Sequence, residues 1–343
     1  MKPWKFCCAA VLAALLWSFS GCGPVTEPPA QTTGFTQPTR ETETVPPAAV
    51  ETTLETVAPE DLEQEAEALR SAQAALPQLP SVEAPGILVE SGGGAVIDYS
   101  NTAAGYVMVR YEKETEKRLK VQVKGPNSTY TYNLTPGLWT AFPLTDENGG
   151  YQILVYENVS GNKYATVLSL HIQVALEDEF APFLHANQYV NYDDAPKTVA
   201  KAAELTGGIT DTLEKVAAVY DFVIAALTYD KEQAKTVQSG YLPQLDAVLE
   251  KGSGICFDYA ALMAGMLRSQ GIPTKLVVGY AGQAYHAWIS VWTAETGWVD
   301  GVIFFDGAAW QRMDPTFASS AGASQEIMAY IGDGSNYTAK YFY

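Results

Sequence analysis

The chain has 343 residues, with 39 acidic side chains against 21 basic ones and a formal net charge of −18. That length has room for two domains of ordinary size, and an acidic chain with no basic patch excludes a nucleic-acid surface. The four cysteines and three histidines form no cluster with metal-ligand spacing, no EF-hand loop appears, and no cofactor is implied.

Residues 1–22 have the form of a secretory signal: Lys2 and Lys5, an apolar run from Phe6 to Phe19, and small residues before Cys22. The run is shorter than the roughly 18–20 residues that span a bilayer. Ser20-Gly21-Cys22 resembles a bacterial lipobox, with Phe19 where leucine is usual. On this reading Cys7 and Cys8 leave with the signal and Cys22 carries lipid. The chain is then anchored in the cell membrane facing outward, and Cys256 is its one free thiol.

Residues 23–91 are rich in Pro, Thr and Glu. Twelve acidic residues against two arginines between Gly23 and Glu90 supply −10 of the chain's −18. Such a segment buries too little apolar surface to offset its ordering entropy, and it reads as an extended, disordered tether. Within it, 59–76 carries a short helical pattern, with Glu63, Glu65 and Glu67 early and Arg70 late.

From 92 to 176 the chain reads as short strands. The stretches 106–113, 118–125 and 128–134 alternate or carry β-branched and aromatic residues, and 151–176 reads as a hairpin turning at Ser160-Gly161-Asn162-Lys163. The expectation is an Ig-like β-sandwich. His171, alternating with apolar neighbours, reads as a structural residue.

Residues 177–343 open with a connector and turn helical. In 210–230 Asp211 and Glu214 form a capping pair, followed by Val216, Val219, Tyr220, Val223 and Leu227 at helical spacing. A shorter helix covers 241–252. Ile255 to Gln270 is helical, closed by Gly271 and Pro273, which puts Cys256 in a first turn. Unpaired backbone N–H groups and the helix dipole there favour negative charge, hence the nucleophilic thiolate. Asp258 and Tyr259 read as a helix-surface and a packing residue. "KLVVGYA" and "HAWISVW" read as strands joined by a short loop, with His286, Trp288 and Ser290 on one face. Asp314 precedes Pro315, where a strand ends. A thiol, an imidazole and a carboxylate in this order have the chemistry of an activated nucleophile. The imidazole takes the thiol proton, and the carboxylate orients the ring.

The blocks "GICFDYAALMAGMLRSQGIPTKLVVGY", "YHAWISVW" and "MDPTF" resemble the transglutaminase-like superfamily, the circularly permuted relatives of papain-type enzymes, over roughly 210–317. The resemblance implies an α+β domain with the nucleophile on a helix packed against an antiparallel sheet. By matching blocks, Cys256 takes the nucleophile's place, His286 the base's and Asp314 the orienting acid's. It also implies acyl transfer at an amide carbonyl through a thioester, released to water or to an amine. The substrates would be proteins or peptides, including cell-wall peptides. Cys256 N–H is the natural first oxyanion donor, with Tyr241 or Gln244 as candidates for the second. Tyr285, Trp288 and Trp298 are candidates for an acyl groove. The alternative is a surface binding or scaffold protein with a silent pocket of the same kind.

Overall fold

A computed structural model of the chain describes residues 81–294, 297–300, 303–305, 310–312 and 337–343. The signal, the lipobox cysteine, most of the tether and the 59–76 helix lie outside them, as does Asp314. Among the described residues no helix is long and apolar enough to cross a membrane.

Two four-stranded antiparallel sheets come first. One has the order β1-β2-β3-β6: β1 Val89–Gly92, β2 Ala95–Asp98, β3 Tyr106–Tyr111 and β6 Thr140–Pro143. The other has the order β5-β4-β7-β8: β5 Thr129–Leu134, β4 Leu119–Lys124, β7 Gly149–Ser160 and β8 Lys163–Val174. Period-two burial shows why these residues pair. In β4, Leu119, Val121 and Val123 are buried, with half-buried Lys120, Gln122 and Lys124 between them. In β5, Tyr130, Tyr132 and Leu134 point inward and the intervening residues face solvent. β7 and β8 form the long hairpin, with Ser160 opposite Lys163 across the turn. His171 is exposed on β8.

The strand region starts earlier than composition suggests. Residues 82–91, which read as the end of the acidic tether, are tied to the folded body. Val82 N–H donates to Asp193 Oδ2 at 2.9 Å, Gly86 N–H donates to Asp98 Oδ2 at 2.6 Å, and β1 pairs with β2.

The second half is α/β. After a 3-10 turn at Ala181–Phe183 come α1 Pro196–Thr206, α2 Thr212–Ala226, α3 Lys231–Thr236, α4 Leu245–Lys251 and α5 Cys256–Arg268. Asp211 caps α2 by accepting from Glu214 N–H at 2.9 Å. α5 is buried along nearly its whole length, from Asp258 to Arg268. It packs on a sheet of order β13-β12-β11-β16: β13 Gly297–Asp300, β12 Ala284–Thr293, β11 Thr274–Ala281 and β16 Tyr337–Phe342. A two-residue parallel pair, β9 Thr228–Tyr229 with β10 Ser253–Gly254, lies just before α5, and β14 Ile303–Phe305 pairs with β15 Trp310–Arg312.

Arg268, at the end of α5, is fully buried and pins this half together. Its Nε donates to Thr274 O and its Nη1 to His185 O, both at 2.8 Å, and its Nη2 donates to Tyr343 O at 2.5 Å. The fork of five donors suits three carbonyls converging from different segments.

The two halves share one apolar core. Tyr132 of β5 lies 5.8 Å from Tyr189 and 5.9 Å from Tyr343, ring centre to ring centre, and Tyr130 lies 5.6 Å from Tyr341. Thr145 Oγ1 donates to Phe342 O at 3.0 Å.

Candidate active site

The entry to α5 is built before the thiol is reached. Gly252 closes α4 in the left-handed region, at φ 64°, where a side chain is strained. β10 then runs beside β9, with Thr228 N–H bonded to Gly252 O and Asp230 N–H to Gly254 O, both at 2.9 Å. Ile255 is the residue before the helix, and Cys256 is its first helical residue, half-buried. A helix's first N–H groups have no acceptor within the helix, so the backbone at Cys256 can serve an oxyanion.

The next turn corrects the surface reading of Asp258, whose carboxylate is fully buried. Oδ2 accepts from Ile255 N–H at 2.8 Å and from Gln233 Nε2 at 3.0 Å, and Oδ1 accepts from the Tyr241 hydroxyl at 2.7 Å. Lys251 Nζ extends the network, donating to Gln233 Oε1 at 2.9 Å and to Asp230 Oδ2 at 2.8 Å. Burial pushes the Asp258 carboxyl above the usual range, opposed by the donors on it. Gly254 makes the approach possible, since a Cβ there would sit 2.6 Å from Asp258 Cβ. Asp258 therefore holds the first turn of the thiol helix from behind.

β12 carries the imidazole. His286 faces Gly279 of β11 across the antiparallel register and is 7% exposed. A Cβ on Gly279 would fall 2.1 Å from Thr338 O and 2.9 Å from the Trp288 ring, so glycine there lets β16 and Trp288 close on the sheet. Trp288 stacks near-parallel to His286 at 6.3 Å and meets Tyr337 edge-on at 5.2 Å.

Cys256 and His286 line one cavity of about 550 Å³. Tyr241 and Tyr285 of the groove candidates line it too. Three candidates do not. Trp288 is 5% exposed and braces the imidazole. Gln244 is exposed, preceding α4, because that helix turns its buried residues Leu245 and Val248 to the core. Trp298, opposite Trp292 on β13, lines a separate cavity of about 500 Å³ against Tyr130, Asp146 and Phe183; Lys275 Nζ sits 3.7 Å above its ring. As second oxyanion donor, Tyr241 has its proton on Asp258 in this structure.

Sequence reasoning missed Tyr189, Phe257 and Tyr343 on the cavity wall. The alternating "YTAKYFY" at the C-terminal end is a strand signal that would have brought Tyr343 in. Nothing local marks Tyr189, which sits in the connector. Among the described residues no group of His, Cys, Asp or Glu could hold a metal ion.

A buried helix that begins with a thiol thus packs on an antiparallel sheet whose His286 lines the same cavity. Residues 199–315 match the model of the transglutaminase-like superfamily, and this part of the chain is a transglutaminase-like domain. The chain is 26% identical over 179 residues to the uncharacterized protein YebA of Bacillus subtilis, covering 46% of this chain and 24% of that protein. It is 35% identical over 68 residues to a protein-glutamine gamma-glutamyltransferase of Pseudomonas aeruginosa, covering 16% of this chain and 10% of that protein. The chain thus spans about a quarter or less of these curated relatives. Among solved structures it is similar to red sea bream transglutaminase at 14% identity and a TM-score of 0.28, over 66% of this chain and 53% of that one.

Proposed function

We propose that the chain is a thiol-dependent acyl-transfer enzyme acting on peptide or protein amides, with Cys256 as nucleophile, His286 as base and Asp314 as the acid that orients the imidazole. The observation that carries this reading is the common cavity of Cys256 and His286, one at a helix start and the other on the strand behind it. His286 takes the thiol proton, and the sulfur adds to the amide carbonyl while the Cys256 N–H faces the oxyanion. Collapse breaks the C–N bond, and the leaving amine, or ammonia from a carboxamide, takes the proton from the imidazolium. Water or a second amine then attacks the thioester, giving hydrolysis or crosslinking, and the thiol is restored with its proton.

In the same reading residues 1–22 are a lipoprotein signal, a lipid on Cys22 holds the protein at the outer face of the cell membrane, and the segment between Cys22 and Val82 gives reach toward cell-wall peptides. Residues 82–176 form an Ig-like sandwich and 177–343 the catalytic domain. The test is release of ammonia from carboxamide peptides, or their coupling to an amine, by the full chain and by Cys256→Ala. Activity confined to the unaltered chain supports the reading. No activity in either, over a broad peptide set, favours the silent binding protein.

A further inference from the structure

We infer that the acyl donor enters this cavity as an uncharged segment with aromatic or aliphatic neighbours, and that acidic and basic peptides are both poor donors; the inference rests on the thiol reading above. In a chain of net charge −18, none of the described residues lining the thiol cavity is Asp, Glu, Lys or Arg. Its walls are instead rings: Tyr189, Tyr229, Tyr241, Tyr285, Tyr343 and Phe257. The phenols stay neutral at neutral pH. Burial raises Tyr189 to about 12 and pushes Tyr241 and Tyr343 upward as well. Asp258, two residues after Cys256, is fully buried behind this wall and engaged by Tyr241, and Asp314 lies outside the described residues.

The other cavity makes the contrast: Asp146, Glu147, Asp178, Glu179 and Lys275 all line it. Among the described residues, then, charged side chains line the one cavity and not the other. A charged side chain entering the thiol cavity would lose water and meet no Asp, Glu, Lys or Arg among the described lining residues, a cost that aromatic walls do not offset. An uncharged segment gains ring contacts and can use the phenol hydroxyls as donors and acceptors. About 550 Å³ lies within the range of pockets for small ligands, about 300–1,000 Å³. It holds an acylated side chain and its immediate neighbours.

The local argument and the long-range field predict different orders. The net negative field would speed a basic peptide, whereas the neutral cavity slows it. The test uses the full chain and three chloroacetamide peptides of one length, flanked by Phe and Leu, by Glu, or by Lys. The readout is the rate of alkylation at Cys256. The neutral peptide should react about tenfold or more faster than either charged one. That order should persist in about 1 M salt, where the Debye length is about 3 Å. Val237, 37% exposed and on the cavity wall, gives a gain-of-function control: Val237→Glu should raise the Lys peptide above the Glu peptide. Unreactive acetamide versions titrated on Cys256→Ala should rank the same way in affinity. Equal rates for all three peptides, or a basic preference that salt abolishes, would overturn the inference and leave the thiol reading standing. No alkylation by any peptide, with binding still ranked neutral first, would overturn the thiol reading instead.

Discussion

The Tyr241 hydroxyl donates to Asp258 Oδ1 at 2.7 Å while the other oxygen of that carboxylate takes the Ile255 N–H at 2.8 Å. One buried group thus joins the cavity wall to the backbone just before the thiol. Substituting it should disturb both. Asp258→Ala leaves a buried hydroxyl, an amide and a backbone N–H without their acceptor. Each hydrogen bond to a charged group is worth about 1.5–3 kcal/mol, so a loss of about 3 kcal/mol or more is expected in denaturant unfolding. Acyl transfer should fall with it, since the helix start is no longer fixed.

Asp258→Asn tests the electrostatics. Burial raises this carboxyl, so the folded state holds its proton more tightly than the unfolded chain does. Stability from such a group is fully present below the unfolded value of about 3.9 and is lost as pH rises through the folded one. The stability of the unaltered chain minus that of Asp258→Asn should therefore be larger near pH 4 than near pH 7. Other carboxylates titrate in both proteins and cancel. A difference that grows with pH would contradict this account.

Gly254→Ala should act through the same carboxylate. Its Cβ would sit 2.6 Å from Asp258 Cβ and 2.8 Å from Oδ2, closer than such atoms come. We expect overpacking of about 1–3 kcal/mol and slower acylation. Gly208→Ala, strained at φ 78° but with open space around the new Cβ, should cost stability without slowing the reaction.

Arg268 supports the domain away from the thiol. Arg268→Ala takes the guanidinium from three carbonyls, of which Tyr343 O keeps the Leu276 N–H, and opens a cavity where the side chain was fully buried, so a loss of about 3 kcal/mol is expected. Arg268→Lys should recover only part of it, because an ammonium cannot reproduce the planar fork. Thermal unfolding of the three proteins orders them.

Local signals carried much of this structure. The glycines before Cys256 and after Gln270 bracket α5 within two residues, since caps and breakers act at short range. Alternation in "KLVVGYA" and "HAWISVW" marks β11 and β12, and the short loop between them gives the antiparallel hairpin. What was illegible depends on distant partners. Asp258 looks like a surface residue on a helix until Gly254, Gln233 and Tyr241 enclose it. Trp298 is another aromatic on a strand until Lys275 and Phe183 are found around it. Residues 82–91 share the composition of the acidic segment, yet Asp193 and Asp98 bind their backbone. The wall residue Tyr189 owes its place to the packing of Tyr343 and Phe257 around it, which no local pattern encodes.

The central claim is that Cys256 and His286 work as a pair. The most direct measurement is the rate of Cys256 alkylation by iodoacetamide at neutral pH in the full chain and in His286→Ala, with folding checked by circular dichroism. The account predicts that His286→Ala reacts at least tenfold more slowly than the unaltered chain, because the thiol has lost the base that takes its proton. Equal rates for the two folded proteins would contradict it.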